Sequence, residues 1–203
     1  QKSHISKNGL IIFVKNPEPG KVKTRLAKDI GDQAALNVYL RLLEITRKVS
    51  LGVDCKRYLF YHESVIKDDP WSPLQFSKFV QVSGDLGSRM LNGFERVLEE
   101  NDKAIIIGSD CPDIQSDIIE TAFIKLNDHD VVIGPTLDGG YYLLGMKALH
   151  PYLFNDMSWS TPSVFEESIR RLSSNGVSHA LMPMMSDLDN FEDLKRSGLN
   201  WND

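Results

Sequence analysis

Ile105-Ile106-Ile107-Gly108-Ser109-Asp110-Cys111-Pro112-Asp113 is the stretch that decides the fold, because an apolar β-branched run ends directly in two carboxylates. Such a run reads as a strand buried on both faces, the mark of a parallel sheet covered by helices. Ligands of open α/β sheets bind outside the carboxyl ends of the strands. Asp110 and Asp113 therefore fall where a divalent ion would hold an anionic substrate. The same residues also suit a turn and a helix cap, and both readings stay open at this point.

The chain on either side alternates between strand and helix patterns. Leu10 to Lys15 reads as a first buried strand, and Asn16 to Gly20, with two prolines and a glycine, as a loop leading to a helix. Ala35, Leu36, Tyr39, Leu40, Leu42, Leu43 and Val49 recur at helical spacing, which predicts a helix over 32–49. Arg57 to Tyr61 and Phe79 to Val82 read as short strands, separated by an irregular segment broken at Pro70 and Pro73. Asp85 is placed to cap a helix reaching Glu100, and Ser116 to Leu126 reads as another. Asp130 to Ile133 and Tyr141 to Met146 flank a turn, which predicts an excursion or an antiparallel edge. Thr161 is the expected cap of a helix over 163–174, followed by a strand over 180–184 and a short helix through Leu194. The pattern predicts an α/β protein with a mostly parallel mixed sheet and helices on both faces.

Composition narrows the function. At 203 residues, 1–203 suits a single domain with a continuous core. Gln1 to Asn8 is polar, lacks the apolar core of a signal peptide, and is expected to be a flexible terminus. A net charge of -5 argues against general nucleic-acid binding, so no nucleic-acid partner is expected and any anion site must be local. Cys55 and Cys111, without CxxC spacing, fit a reducing cytoplasmic setting. No apolar run approaches the roughly 18 residues of a membrane span.

Four segments fall at strand ends or in neighbouring loops. In the first, Lys21, Lys23 and Arg25 follow a buried strand and could face a diphosphate, or form a solvated basic loop. It is not a Walker loop, since Lys15 stands at the first glycine's place and Val22 follows Lys21. The second is Ser109 to Asp113. The third, Asp138-Gly139-Gly140-Tyr141-Tyr142, brings bare backbone near a flat ligand with Asp138 accepting from hydroxyls, or is simply a hairpin turn. In the fourth, Asp187 and Asp189 stand two apart and point to one side of an extended chain, as ion ligands or as helix caps. The five histidines, His4, His62, His129, His150 and His179, have no partner at ligand spacing and read as surface or packing residues. No GxSxG elbow supports a serine hydrolase.

At these residues the chain resembles a known family. FVKNPEPGKVKTRLA (Phe13 to Ala27), GSDCPDI (Gly108 to Ile114), GPTLDGGYYLLG (Gly134 to Gly145) and DLDNFEDL (Asp187 to Leu194), in that order, resemble the provisionally assigned glycosyltransferases of the DUF2064 family. Some members of that family are associated by genome context with arsenosugar biosynthesis. The resemblance implies a three-layer, Rossmann-like GT-A fold, as in nucleotide-diphospho-sugar transferases, and a Mg²⁺ or Mn²⁺ site. More distantly it extends to guanylyltransferases acting on phospholactate and molybdopterin. By position it assigns Asp110 and a late acid, Asp189 or Asp187, to the metal, and Lys23 and Arg25 to the diphosphate. Asp138, Gly139 and Gly140 match the loop that approaches the sugar or base. Asn190 stands where many relatives have Thr, which leaves the second metal ligand open.

The expected reaction is glycosyl transfer from a nucleotide sugar to an unidentified small-molecule acceptor, with Asp110, Lys23, Arg25 and Asp138 as the catalytic candidates. Lys21, Gly139, Gly140 and Tyr141 join them as nucleotide or sugar contacts. Asp138 and Asp113 are alternative general bases. Nucleotidyl transfer with release of pyrophosphate is the rival reaction, and a non-catalytic nucleotide-binding domain the third possibility.

Overall fold

The computed structural model describes residues 7–201. Seven strands form one sheet in the order β3-β2-β1-β4-β6-β5-β7: β1 (Asn8–Val14), β2 (Lys56–Tyr61), β3 (Ser77–Val80), β4 (Lys103–Ile107), β5 (Val131–Pro135), β6 (Tyr141–Met146) and β7 (His179–Leu181). All neighbours run parallel except β6, which is antiparallel to both β4 and β5. The predicted strands are present with ends shifted by a few residues. Asn8, expected in the polar terminus, opens β1 and pairs with Lys103, while residues 1–6, including His4, lie outside the described residues.

β6 is not an edge. The chain reverses after β5 and inserts β6 between β4 and β5, where Tyr142 to Met146 are buried. An apolar run with no polar alternation belongs inside a sheet, and Tyr141 to Met146 carries that signal. No Cβ fits at Gly145, because it would lie 2.7 Å from Val132 and 2.8 Å from Ile105 on the two flanking strands.

Side chains alternate across the sheet and so feed two cores. Leu10, Ile12 and Val14 face α2 (Asp32–Leu51) and α4 (Ser116–Lys125), packing with Leu36, Tyr39, Leu43, Ile119 and Phe123. Ile11, Tyr58 and Phe60 face α3 (Leu86–Leu98) and α5 (Val164–Ser174), against Met90, Phe94, Val97 and Leu172. Two short helices, α1 (Thr24–Ile30) and α6 (Phe191–Ser197), pack outside α2 through Leu26, Val38, Leu42, Leu188 and Leu194.

Caps follow the sequence in part. Asp85 accepts from the Ser88 N–H at 2.8 Å, as expected for the start of α3. Thr161 does not cap α5: its hydroxyl donates to the Ser158 carbonyl at 2.6 Å, and Ser163 holds the cap position without a side-chain bond. Asn190 caps α6 in a reciprocal box with Asp193. Because Asn190 takes that role, the carboxylate of Asp189 is left for other partners.

Candidate functional site

The carboxyl ends of β1, β4 and β5 open into a cleft of about 920 Å³. Its position is dictated by the sheet, since connections leave these strands on the same side.

Three sets of hydrogen bonds assemble its acidic end. After β7 the chain runs on beside β5: the Met182 N–H donates to Ile133, the Met185 N–H to Pro135, and the Leu137 N–H to Met185. The Leu188 N–H then donates to the Asp110 carbonyl at 2.7 Å, tying the late acidic segment to the end of β4. Asp138, in the turn between β5 and β6, is oriented through Oδ1, which accepts from the Thr136 hydroxyl and from the Gly140 N–H at 3.1 Å. As a result, carboxylate oxygens of Asp138, Asp187 and Asp189 lie within 4.8 Å of one another.

The first loop supplies a cation to the same place. Lys23 adopts a left-handed conformation, φ 50° and ψ 45°, at the start of α1. Its ammonium donates to Asp110 Oδ1 at 2.6 Å, to the Leu188 carbonyl at 2.6 Å and to Asp189 Oδ1 at 3.4 Å. The side chain is only 6% exposed, so these contacts are made largely away from water. Burial works against the ammonium, but Asp110 and Asp189 outweigh it and hold Lys23 charged above the ordinary lysine value. Burial pushes Asp187 up to about 8, and the neighbouring Asp110, Asp189 and Asp138 charges add to the shift against Lys23. Asp189 is raised for the same first reason. Four carboxylates around one ammonium leave excess negative charge, and an all-oxygen donor set suits a hard dication such as Mg²⁺ or Mn²⁺. Cys111 adds no thiolate, since burial pushes it up to about 12.

The other expected residues divide. Arg25, Gly140 and Tyr141 line the cleft. Lys21 also lines it but is paired with Glu18 at 2.6 Å. Gly139 does not line it, and instead its carbonyl accepts from the Phe165 N–H at 2.8 Å, anchoring the turn to α5. Asp113 is exposed and outside the cleft, with Gln115 rather than Asp113 at the cap position of α4, so the structure gives it neither the cap nor a place beside substrate.

His62, Gln81, Arg89, Trp159, Ser160 and Thr161 also line the cleft, although the sequence points to none of them as a site residue. His62, expected as a surface or packing residue, faces the cleft, and burial with Arg89 and Lys15 nearby lowers its proton affinity. The Trp159 loop carried a signal in its packing: Gly87 has no room for a Cβ because the Trp159 ring and the Phe154 carbonyl press against it. Among the described residues, no helix is long and apolar enough to cross a membrane.

Comparison with known proteins places this cleft in context. Over 94% of this chain and 85% of the other, the fold matches a provisionally named nucleotide-diphospho-sugar transferase from Desulfovibrio desulfuricans G20 with a TM-score of 0.86 and 28% identity. A 2-phospho-L-lactate guanylyltransferase from Methanocaldococcus sp. (strain FS406-22) is 28% identical over 127 residues, 63% of this chain. That match spans only 54% of the guanylyltransferase, about half its length. Rv0371c from Mycobacterium tuberculosis H37Rv, crystallised in complex with manganese, shares the fold with a TM-score of 0.53 and 12% identity over 95% of this chain and 98% of its own. The architecture is therefore the α/β fold of nucleotide-diphospho-sugar transferases and nucleotidyltransferases. The sequence model of DUF2064, described as an uncharacterized protein conserved in bacteria, matches residues 45–161, more than half of the chain, and the chain belongs to that family.

Proposed function

We propose that this chain is a metal-assisted glycosyltransferase that takes a nucleotide-diphospho-sugar donor and a small-molecule acceptor. One observation carries the reading: the oxygens of Asp138, Asp187 and Asp189 converge within 4.8 Å on the same cleft that Lys23 and Arg25 line. Acids that gather a dication, next to cations that meet phosphate oxygens, are what a departing diphosphate requires.

Asp187, Asp189 and Asp138 would hold Mg²⁺ or Mn²⁺, with Asp110 beside them, and the ion would supply positive charge to the diphosphate as it leaves. Lys23 and Arg25 bind phosphate oxygens, Lys23 as a point charge and Arg25 through its planar fork. Thr136 and the Gly140 N–H fix the Asp138 carboxylate, which favours a ligand role for Asp138 over proton transfer. Tyr141 and Trp159 form the wall against which sugar and acceptor are oriented. The bond broken joins the anomeric carbon to the diphosphate, the bond formed joins that carbon to the acceptor's nucleophilic atom, and the proton lost by that atom goes to the departing diphosphate or to water.

Nucleotidyl transfer is the second reading, favoured by the 28% identity to a guanylyltransferase. There the same cations hold a triphosphate, a phosphorylated partner attacks the α-phosphorus, and pyrophosphate leaves. The first loop weighs against it. Its single glycine is Gly20, and the Lys21 N–H is already used in a turn to Glu18, which leaves little free backbone to wrap a triphosphate. The reducing cytoplasm is the proposed compartment, supported by Cys55 and Cys111 both being unpaired.

Thermal unfolding against nucleoside diphosphates, triphosphates and nucleotide sugars, each with and without Mn²⁺, tests both readings. A ligand at about 100 times its Kd adds roughly 2.7 kcal/mol, enough to raise Tm by a few degrees in a chain of this size. A Mn²⁺-dependent rise with one diphosphate and its sugar supports glycosyl transfer. Preference for a triphosphate, with pyrophosphate released in the presence of acceptor, transfers the assignment to the second reading. No rise with any of them rules out both.

A further inference from the structure

The ammonium of Lys23 already occupies the acidic end of the cleft. Its three hydrogens have three acceptors: Asp110 Oδ1 at 2.6 Å, the Leu188 carbonyl at 2.6 Å and Asp189 Oδ1 at 3.4 Å. Asp189 belongs at the same time to the group of three carboxylates spaced to hold an ion. One carboxylate is thus shared between the ammonium and the place an ion would take. Lys23 itself stands at the start of α1 in the left-handed region, which a residue with a Cβ seldom adopts.

We infer that Lys23 is the resident counterion of the acid cluster and a competitor of the divalent ion, so the cluster opens to metal when a phosphate group draws the ammonium away. The inference rests on the transferase reading above and adds an order to it: metal and diphosphate bind together, and metal alone binds poorly. Two observations carry it. A dication shared by Asp189 would lie close to an ammonium now 3.4 Å from that carboxylate, and at 6% exposure little water screens the repulsion between them. The ammonium also ends a flexible four-carbon stem, so its charge can turn toward a phosphate while α1 stays in place. With a dication on the carboxylates, the ammonium beside Asp189 is the cation nearest to it, and a phosphate group gives that ammonium a partner away from the ion.

The test is Mn²⁺ binding followed by the EPR signal of the free ion, in wild type and in Lys23→Met, without nucleotide and then with premixed Mn²⁺–pyrophosphate. Lys23→Met is expected to bind Mn²⁺ alone at least tenfold more tightly than wild type, and Mn²⁺–pyrophosphate at least tenfold more weakly. A purely structural lysine would not move the two affinities in opposite directions. Lys23→Arg keeps the charge and is expected to bind Mn²⁺ alone as poorly as wild type. Wild type that binds Mn²⁺ alone as tightly as Lys23→Met overturns the inference. If wild type takes up Mn²⁺–pyrophosphate in that case, the metal-assisted reading survives; if neither protein binds metal in any form, both fall. Should Lys23→Met fail to fold, the Lys23 ammonium resonance of wild type decides. It is expected to keep its position in millimolar Mg²⁺ and to shift with Mg²⁺–pyrophosphate, and a shift of equal size with Mg²⁺ alone overturns the inference.

Discussion

The Leu188 N–H donates to the carbonyl of Asp110 at 2.7 Å, and this bond, beside the Lys23 ammonium that spans the Asp110 carboxylate and the Leu188 carbonyl, ties the segment around Leu188 to the end of β4. The bond uses the backbone of Asp110 and leaves its carboxylate to Lys23. Asp110→Asn should therefore keep the connection and the fold while removing the negative charge. The expected outcome is native-like circular dichroism with Mn²⁺-dependent nucleotide binding weakened at least tenfold. Unchanged affinity by calorimetry would remove Asp110 from the site.

On the metal-assisted reading, the raised Asp187 is expected to make metal binding depend on pH. Its carboxyl moves from the usual 3.8 to about 8. Between those values the folded, metal-free chain holds a proton that the unfolded chain has released, so this group's contribution to stability falls as pH rises through the window and levels off above it. Mg²⁺ must displace that proton. Affinity for Mg²⁺ is expected to rise by up to about tenfold per pH unit toward pH 8 and then flatten. Asp187→Asn should abolish the slope, and a slope identical to wild type in that variant would assign the proton elsewhere.

Much of this arrangement is legible in the sequence, and the reasons for the exceptions are specific. Ile105 to Ile107 announces itself as an unbroken apolar run because the strand is buried on both faces, and the apolar faces of α2 and α3 because burial of one face imposes a period. The helix α1 was not delimited, since its seven residues, Thr24–Ile30, contain three charges and only Leu26 is buried. The placement of β6 was missed because strand order is a long-range property that a local turn does not reveal. Asp138, Asp187 and Asp189 are each visible, but their convergence depends on residues 182–185 running beside β5 and on Leu188 bonding to Asp110, which backbone bonds decide and side-chain pattern does not. His62 and Arg89 have no motif at all and reach the cleft only through the fold.

The long connection between β2 and β3 closes on Asp69. Its carboxylate accepts from the Lys78 ammonium at 2.7 Å, from the Trp71 N–H at 3.1 Å and from the Tyr61 hydroxyl, and the Lys78 and Asp69 side chains are 8% and 12% exposed. Removing one partner of such a pair leaves the other charge buried and uncompensated. Asp69→Ala should lower stability by about 3–5 kcal/mol in urea unfolding. A loss under about 1 kcal/mol would show that water reaches Lys78 in its place.

Gly139 links the turn after β5 to the segment around Pro162 that borders the cleft. Its φ of +92° lies where a Cβ is strained, and a Cβ built there would come within 2.0 Å of the Pro162 carbonyl oxygen. That oxygen is backbone, so relief requires moving either the Asp138 turn or the segment around Ser160 to Pro162, and both border the cleft. Gly139→Ala is therefore expected to cost about 3 kcal/mol in urea unfolding, from strain and overpacking together. The two halves of the cleft should respond differently. Lys23 and Arg25 come from the first loop, so affinity for a nucleoside diphosphate measured without metal should change less than threefold, whereas the KM for acceptor should rise at least tenfold. Equal losses for donor and acceptor would mean that the turn supports the whole cleft, and full acceptor affinity would place the acceptor away from Thr161 and Pro162.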